Sequence, residues 1–472
     1  MGDRLAVVLD IGKTVAKASL WDAKGNMIAH ESRANEIVAA DHYRALDTDG
    51  IDRWLGETLR GFAAMGHIGA IVPVAHGAAA AILDKDGLAA PVMDYETEIP
   101  SDVRAAYLGE RDPDHETGSP IMDLGLNLGL QLFYQQGSMP ELFEAGSMIV
   151  PWAQYWAYRL SGMAVCEVSS FGAHTDLWNP VQRCLSRMAV RRGWASRFGP
   201  FRKASDRVGR ISPDWMARCG LPADVEIYAG IHDSNAALHA ARSNPEIAVK
   251  GATILSTGTW FVAMRSLAID NGFNIEKLPF DRGCLANVDL NGRPVPTALF
   301  MGGRELDLLN AGGNHRIDAS ADQLALLEAA QRCLSAGMMV LPTQTQGIGP
   351  FARHKGRWIN RPSDAVQETA AMALYVALVA DAALDLIGSE NMLVVDGRFA
   401  NASVFTRALA ALRGTTKVYT SRAEHDVSLG ALRLIQPKLR QKDKLDRVTP
   451  LDAPLLEYRR RWRQGLEGCS CG

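Results

Sequence analysis

An α/β fold in two related halves is predicted by three observations on this chain. A short apolar run breaks at a polar corner rich in Gly and Thr and then resumes, once near residue 12 and again near residue 258. Between such runs lie segments whose apolar residues keep helical spacing. The two corners are about 245 residues apart and share flanking pattern rather than identity, as an internal duplication would.

In chain order, Leu5–Leu9 is an apolar strand, Asp10-Ile-Gly12-Lys13-Thr14 the first corner, and Val15–Trp21 a second strand. The turn Asp22–Asn26 leads to a third strand over Met27–Val38. Thr48 or Asp49 is placed to cap a helix whose Ile51, Trp54, Leu55, Leu59 and Phe62 fall on one face, and Ile68–Val74 returns as a strand. The segment 100–225, with helical pattern at Ala153–Leu160, reads as an insertion on the first half. Ala252–Leu255, the corner Ser256-Thr257-Gly258-Thr259 and Trp260–Arg265 repeat the opening cadence. A long helix around 366–388, the strand Asn391–Val395, the corner Asp396-Gly397-Arg398 and a helix from about Ser403 follow. The polar stretch Arg242–Glu246 suits a boundary, giving expected domains 1–245 and 246–445 and a tail 446–472.

Composition limits the function classes. With 47% hydrophobic and 22% charged residues among 472, the chain can bury a sizeable core. Its 50 Lys+Arg against 53 Asp+Glu leave a net charge of -3, which gives no support for a nucleic-acid or membrane-surface protein. Seven scattered cysteines form neither a disulfide framework nor a zinc pattern, and Cys469 and Cys471 read as part of a Gly-rich tail. The uncharged run Thr369–Ala380 is too short to span a bilayer and reads as a buried helix. The opening residues do not form a signal peptide, and a soluble, cytoplasmic protein is expected.

Chemistry points to phosphate. Corners of Gly and Thr expose backbone N–H groups and hydroxyls that suit phosphate oxygens, although no Walker P-loop is present. If the halves pair, both corners face one cleft and grip opposite sides of a polyphosphate. Asp10 beside phosphate would be repelled unless a cation intervenes, so it implies magnesium held partly through water; the alternative is an Asp capping its own turn. Lys13 and Lys17 add positive charge there. In Tyr228–Asn235, Asp233 opens a helix where an anion is favoured, suiting either a base for a hydroxyl proton or an N-cap. His232 reads as a packed imidazole. His76 and Gly77 at a strand end, and Tyr95 in Asp94-Tyr95-Glu96, could meet a carbohydrate, with a solvated surface as the alternative. The basic run Arg459–Arg463 reads as a solvated helix end.

Together these positions resemble the FGGY family of carbohydrate kinases, within the actin/hexokinase/Hsp70 ATPase superfamily, over about residues 5–435. Asp10-Ile-Gly-Lys-Thr14-Val-Ala-Lys17 is similar to the family's first phosphate motif, D-x-G-T/A-T-x-x-R, with lysines at 13 and 17 as departures. Leu255-Ser-Thr-Gly-Thr-Trp260 resembles the second phosphate motif in the form typical of the L-rhamnulose and L-fuculose kinase branch. Gly230-Ile-His-Asp-Ser234 looks like that branch's G-x-H-D-T/S segment, whose Asp is the catalytic base and here falls on Asp233. Leu393–Asn401 sits where the family has its adenosine motif G-G-G-[SA]-x-N, of which Gly397 and Asn401 survive, and Ser428-Leu-Gly430-Ala431 matches its C-terminal small-residue helix. His76-Gly77 lies at the sugar-contacting position and Tyr95 replaces the aromatic residue of the sugar motif, in which Thr97 takes the acidic place and Ile99 that of Arg.

The resemblance implies two actin-like, ribonuclease H-like ATPase lobes around a central ligand cleft. It implies ATP and Mg2+, with Gly12, Lys13, Thr14, Lys17, Thr257, Gly258, Thr259, Gly397 and Asn401 at the nucleotide. Asp10 and Asp233 would serve the metal, and His76, Gly77, Tyr95 and Asp233 the sugar. Asp233 would be general base toward a ketose of the L-fuculose or L-rhamnulose type, or a related polyol. The expected partner is a small-molecule sugar, with a homodimer as an open assembly. A sugar or nucleotide sensor without turnover, and a sugar-independent ATPase, are the alternatives on the same scaffold.

Overall fold

Residues 4–144, 146–267, 273–310, 316–345, 347–421, 426–440 and 445–467 are described by the structure, a computed structural model. Cys469 and Cys471 lie outside them. The chain divides into two compact units. The first comprises residues 1–243, 286–294 and 425–440, and the second 244–285, 295–424 and 441–472.

The first unit opens with β1 (Leu5–Ile11), β2 (Val15–Trp21) and β3 (Met27–Ala34), an antiparallel meander. Helix α1 (Thr48–Ala63) crosses to β4 (Ile68–Ala75), which lies parallel to β1. Asp47, one residue earlier than expected, caps α1, its Oδ1 accepting from the Gly50 amide at 2.8 Å. The strand expected over Met27–Val38 is divided, β3 giving way to a short strand Ile37–Ala39. Between them Asn35 donates from its backbone and side-chain nitrogens to the carbonyls of Thr14 and Gly12, both at 2.8 Å, and so braces the first corner.

The segment 100–225 forms a smaller core around Tyr107, Leu130, Phe171 and Trp194 and includes β5 (Arg207–Arg210) on the main sheet, after which come β6 (Glu226–Tyr228), β7 (Ile231–His232) and α2 (Asp233–Ala241). The second unit supplies β8 (Ala252–Thr257), β9 (Phe261–Ser266), β10 (Pro294–Phe300), α3 (Gly302–Leu309), α4 (Gln323–Ala336), α5 (Ala365–Leu386), β11 (Met392–Gly397), α6 (Ser403–Leu412) and β12 (Lys417–Thr420). The chain then returns to the first unit as α7 (Asp426–Ile435), before β13 (Asp446–Arg447) and α8 (Leu455–Glu467) in the second.

The first sheet runs β5-β6-β4-β1-β2-β3, with β7 also on β4. Within the second unit the order is β10-β9-β8-β11-β12-β13. Reading outward from β1 and from β8, the sequence of parallel and antiparallel neighbours is the same over these six strands, so the likeness of the two corners extends into the sheets around them.

Residues of β1 alternate between two cores, which is why its run is apolar without interruption. Val7 and Leu9 pack with Leu55 and Leu59 of α1, while Ala6 and Val8 face Ile231, Ala236 and, from α7, Ala431 and Leu432. Each buried Leu or Val contributes about 1.5–3 kcal/mol. A Cβ on Gly430 would stand 1.8 Å from the Ala236 carbonyl oxygen, so only glycine permits this approach of α7 to α2.

Among the described residues one helix, α5, is long and apolar enough to cross a membrane, and it is buried between α4 and α6. Its buried Asp381 accepts from Arg413 at 3.1 Å and from Arg459 at 2.9 Å. The run Arg459–Arg463 is therefore more than a solvated end, because Arg459 pairs inward and Trp462 is buried beside it.

Candidate active site

In the first unit the expected residues gather at the C-terminal ends of the parallel strands. Val74 of β4 is flanked in register by Asp10 on β1 and Ile231 on β7, and Asp233 follows two residues on as the first residue of α2. Lys17 lies directly across β2 from Asp10. Burial above all, and then the charge of Asp233, push the Asp10 carboxyl up to about 7, with Lys17 acting the other way. So under-compensated a carboxylate, with a second carboxylate in range, is a fit for a hard divalent cation. No cluster of three or more His, Cys, Asp or Glu ligands occurs among the described residues, so water and phosphate oxygens would supply the remaining ligands.

Asp233 is part-exposed, with a third of its side chain open. Its Oδ1 accepts from the Ser234 amide and hydroxyl and lies 3.2 Å from His232 Nε2. His232 is itself held. Its backbone N–H donates to Ser169 Oγ at 3.1 Å, and its Nδ1 lies 2.9 Å from Asn235 Oδ1. Because Asn235 Nδ2 donates to the Val288 carbonyl, the amide oxygen faces the ring and Nδ1 carries the hydrogen. Gly77 sits close by, where a Cβ would come 2.9 Å from His232 Nε2.

Both ring nitrogens of His76 are buried without a hydrogen-bond partner among the described residues. Burial, ahead of the surrounding charges, lowers its pKa to about 4, so the imidazole is neutral and offers one donor and one acceptor. Tyr95 meets it edge-on, with centroids 5.6 Å apart and planes at 81°. Residues Asp94–Thr97 form a braced turn rather than a solvated one: Asp94 is fully buried and the Gly125 amide donates to the Tyr95 carbonyl at 2.9 Å. Lys13, expected at the nucleotide, turns its ammonium to Asp94 and Glu96 instead.

Two further groups, His174 and Glu167, belong to no motif of the sequence. His174 sits at φ +45°, a strained conformation for a residue with a side chain, and its Nδ1 faces the Leu126 carbonyl at 3.0 Å. Nδ1 must therefore donate, and burial first of all lowers its pKa to about 4, leaving Nε2 as a neutral acceptor within the field of His232 and Asp233. Glu167 is wholly buried, accepts from Ser169 through Oε2 and has Oε1 unpartnered among the described residues; burial pushes it up to about 7. His174 carries no local sequence signal, since it depends on a carbonyl 48 residues away, whereas Glu167 caps the short helix Val168–Phe171 through Ser169, two residues on.

In the second unit, Thr257 and Gly397 are register partners at the ends of β8 and β11. The Thr257 hydroxyl donates to the Asp396 carbonyl and accepts from the Phe399 amide at 3.0 Å, so it ties the two corners together and is not presented to a ligand. Gly397 has φ +78°, and a Cβ there would lie 2.4 Å from the Thr257 carbonyl oxygen. Gly258 closes the hairpin through its amide to the Trp260 carbonyl at 3.0 Å, leaving Thr259 exposed at the tip. The bulky residues of the altered adenosine motif point away from the corner. Phe399 is buried against Phe261, and Arg398 donates to Asp318 at 2.9 Å. Asn401 ends the short 3-10 turn Arg398–Asn401, exposed.

Residues 249–443 match the model of a family described as carbohydrate kinase FGGY, C-terminal domain. An L-fuculokinase from Salmonella typhi is 25% identical over 283 residues, 57% of this chain and 58% of that protein; the chain thus matches less than two thirds of that relative's length. A crystal structure of a carbohydrate kinase from Novosphingobium aromaticivorans is 49% identical with a TM-score of 0.92, covering 98% of this chain and 100% of that one. A gluconate kinase from Lactobacillus acidophilus shares the fold alone, at 14% identity and a TM-score of 0.80 over 99% of this chain and 98% of that one.

Proposed function

This chain belongs to the FGGY carbohydrate kinases, and from that premise we propose that it transfers the γ-phosphoryl group of ATP to a hydroxyl of a small sugar, a ketose or a related polyol. The observation that carries the reading is the pairing, at one sheet edge, of a neutral His76 lacking partners with a part-exposed Asp233 carboxylate. An imidazole in that state accepts one sugar hydroxyl and donates to another, and the carboxylate is left to receive a proton.

In the proposed mechanism Asp233 Oδ2 takes the proton of the attacking hydroxyl. The Ser234 amide and hydroxyl hold Oδ1, so the carboxylate has one orientation when substrate arrives. The start of α2 favours the anion electrostatically. His76, Tyr95 and His174 orient the sugar, the last as an acceptor through Nε2. Each unit offers its own groups to a nucleotide, Gly12, Thr14 and Lys17 in the first and Gly258, Thr259, Gly397 and Asn401 in the second. When bound through Asp10 and Asp233, magnesium supplies neutralisation of the phosphate oxygens. Most of the acceleration would come from positioning and electrostatics, with proton transfer the smaller share.

A coupled ADP-release assay with L-fuculose, L-rhamnulose, D-xylulose and glycerol tests this. ADP release that requires one of these acceptors supports the kinase. Equal release without acceptor would make the protein an ATPase, and binding without release a sensor. The L-fuculose type is the first to try, since an L-fuculokinase is among the relatives.

A further inference from the structure

Lys13 stands at the tip of the β1–β2 hairpin, where a lysine would ordinarily be assigned to phosphate. Its side chain is committed elsewhere. Nζ lies 2.8 Å from Asp94 Oδ1 and 2.7 Å from Glu96 Oε2, and 4.2 Å from the centroid of the Tyr95 ring. Two carboxylates at ion-pair distance and a ring face surround the ammonium, held by charge rather than by hydrogen bonds of good geometry. Only 11% of the side chain is exposed, and Asp94 is fully buried. Arg44, 3.4 Å from Asp94 Oδ2, completes a cluster of two cations and two anions, so no uncompensated charge is left over for a ligand.

What Lys13 grips is the turn that carries Tyr95. Within it the Asp94 amide donates to the Arg44 carbonyl at 2.8 Å, the Glu96 amide to Asp94 Oδ1 at 3.1 Å, and the Thr97 amide to the Asp94 carbonyl at 3.0 Å. Asp94 Oδ1 thus serves both the internal bond of the turn and the lysine. On its far side Tyr95 meets His76 edge-on. A continuous line of contacts runs from hairpin tip to turn to imidazole.

We propose that Lys13 is a positioning residue for the sugar, a strut that fixes the Asp94–Thr97 turn to the first phosphate hairpin so that Tyr95 stands against His76. The inference rests on the reading of His76 and Tyr95 as sugar contacts. Removing Lys13 leaves two carboxylates, one of them buried, to the half-exposed Arg44 alone, and the excess negative charge would draw the turn toward water. The loss would fall on sugar binding, because the phosphate-facing backbone of the hairpin is held separately by Asn35.

The test compares Lys13→Met, Lys13→Arg and Glu96→Gln in the full chain. Steady-state kinetics use the best acceptor among L-fuculose, L-rhamnulose, D-xylulose and glycerol, and hydrogen exchange follows the amides of residues 94–97. For Lys13→Met, the sugar KM should rise roughly tenfold while kcat and the ATP KM stay within about threefold. Exchange at Glu96 and Thr97 should quicken. Lys13→Arg should keep both readouts near wild type, and Glu96→Gln, which spares the buried carboxylate, should move them in the same direction by less. A raised ATP KM with an unchanged sugar KM, or exchange that does not change in either Lys13→Met or Glu96→Gln, overturns the strut. Absence of turnover with every acceptor in the wild type would instead overturn the kinase reading, and the exchange comparison would still decide whether Lys13 holds the turn.

Discussion

Replacing Asp233 by Asn isolates the proton acceptor from everything else the residue does. Asparagine has the same shape, and its Oδ1 can still accept from the Ser234 amide and hydroxyl, so the start of α2 is preserved. The charge at that helix terminus is worth about 0.3–1 kcal/mol, which bounds the expected loss of stability. The rate effect is larger. A positioned general base contributes roughly 10²–10⁴-fold, or about 3–5 kcal/mol of barrier at 1.36 kcal/mol per tenfold. We therefore expect kcat for sugar-dependent ADP release to fall by that factor at saturating ATP and sugar. Calorimetric titration should find ATP still bound, and the melting temperature should be nearly unchanged. A kcat within tenfold of wild type, with binding intact, would refute the assignment of proton transfer to Asp233.

Three further outcomes are expected. Lys17→Ala should weaken ATP binding about tenfold by titration calorimetry, since Lys17 is exposed beside Asp10 and has, among the described residues, no inward partner of the kind Lys13 has; unchanged affinity would remove the first corner from phosphate. Gly397→Ala places a methyl 2.4 Å from a backbone oxygen in left-handed conformation, so the urea midpoint should drop by the equivalent of about 2 kcal/mol or more, and an unshifted midpoint would contradict the corner geometry. Glu167→Gln reports on pH. The carboxyl at about 7 in the folded chain, against an ordinary 4.5, holds its proton more tightly when folded, so it stabilises fully below 4.5 and that contribution is lost as pH rises through 7. The stability of the Gln variant relative to wild type should accordingly grow from pH 5 to pH 8 by up to about 3 kcal/mol, whereas a constant difference would mean Glu167 is ionised throughout. His76 and His174, lowered to about 4, push both proteins the other way, gaining stability as pH rises from 4 to 6.5, and cancel in the comparison.

Both sheets were legible because their information is local. The apolar runs at Leu5–Leu9 and Ala252–Leu255, each followed by a Gly-containing corner, predict strand, turn and strand with no knowledge of what packs on them. Asp233 was legible for the same reason, being a short polar residue between a strand end and a helical pattern. The roles of Lys13 and Thr257 were not. Sequence puts both in phosphate-like corners, but partners 81 and 139 residues away (Asp94 and Asp396) claim their side chains, and such pairings follow from tertiary placement. His174 is a stronger case, because what distinguishes it is a backbone angle and a carbonyl 48 residues distant. Phe399 shows the converse: its bulk in the adenosine segment suggests crowding, and only the aromatic neighbours of Phe261 reveal that it is core.

The helix that begins with Asp233 leans on α7, a segment nearly two hundred residues further along, through a contact that tolerates no side chain at Gly430. During synthesis the first unit must therefore emerge from the ribosome with one flank of α2 bare and apolar, and wait until almost the whole polypeptide has been made. Expression of the first 245 residues by themselves should give an aggregating fragment, and adding residues 425–440 in trans as a peptide should rescue its solubility.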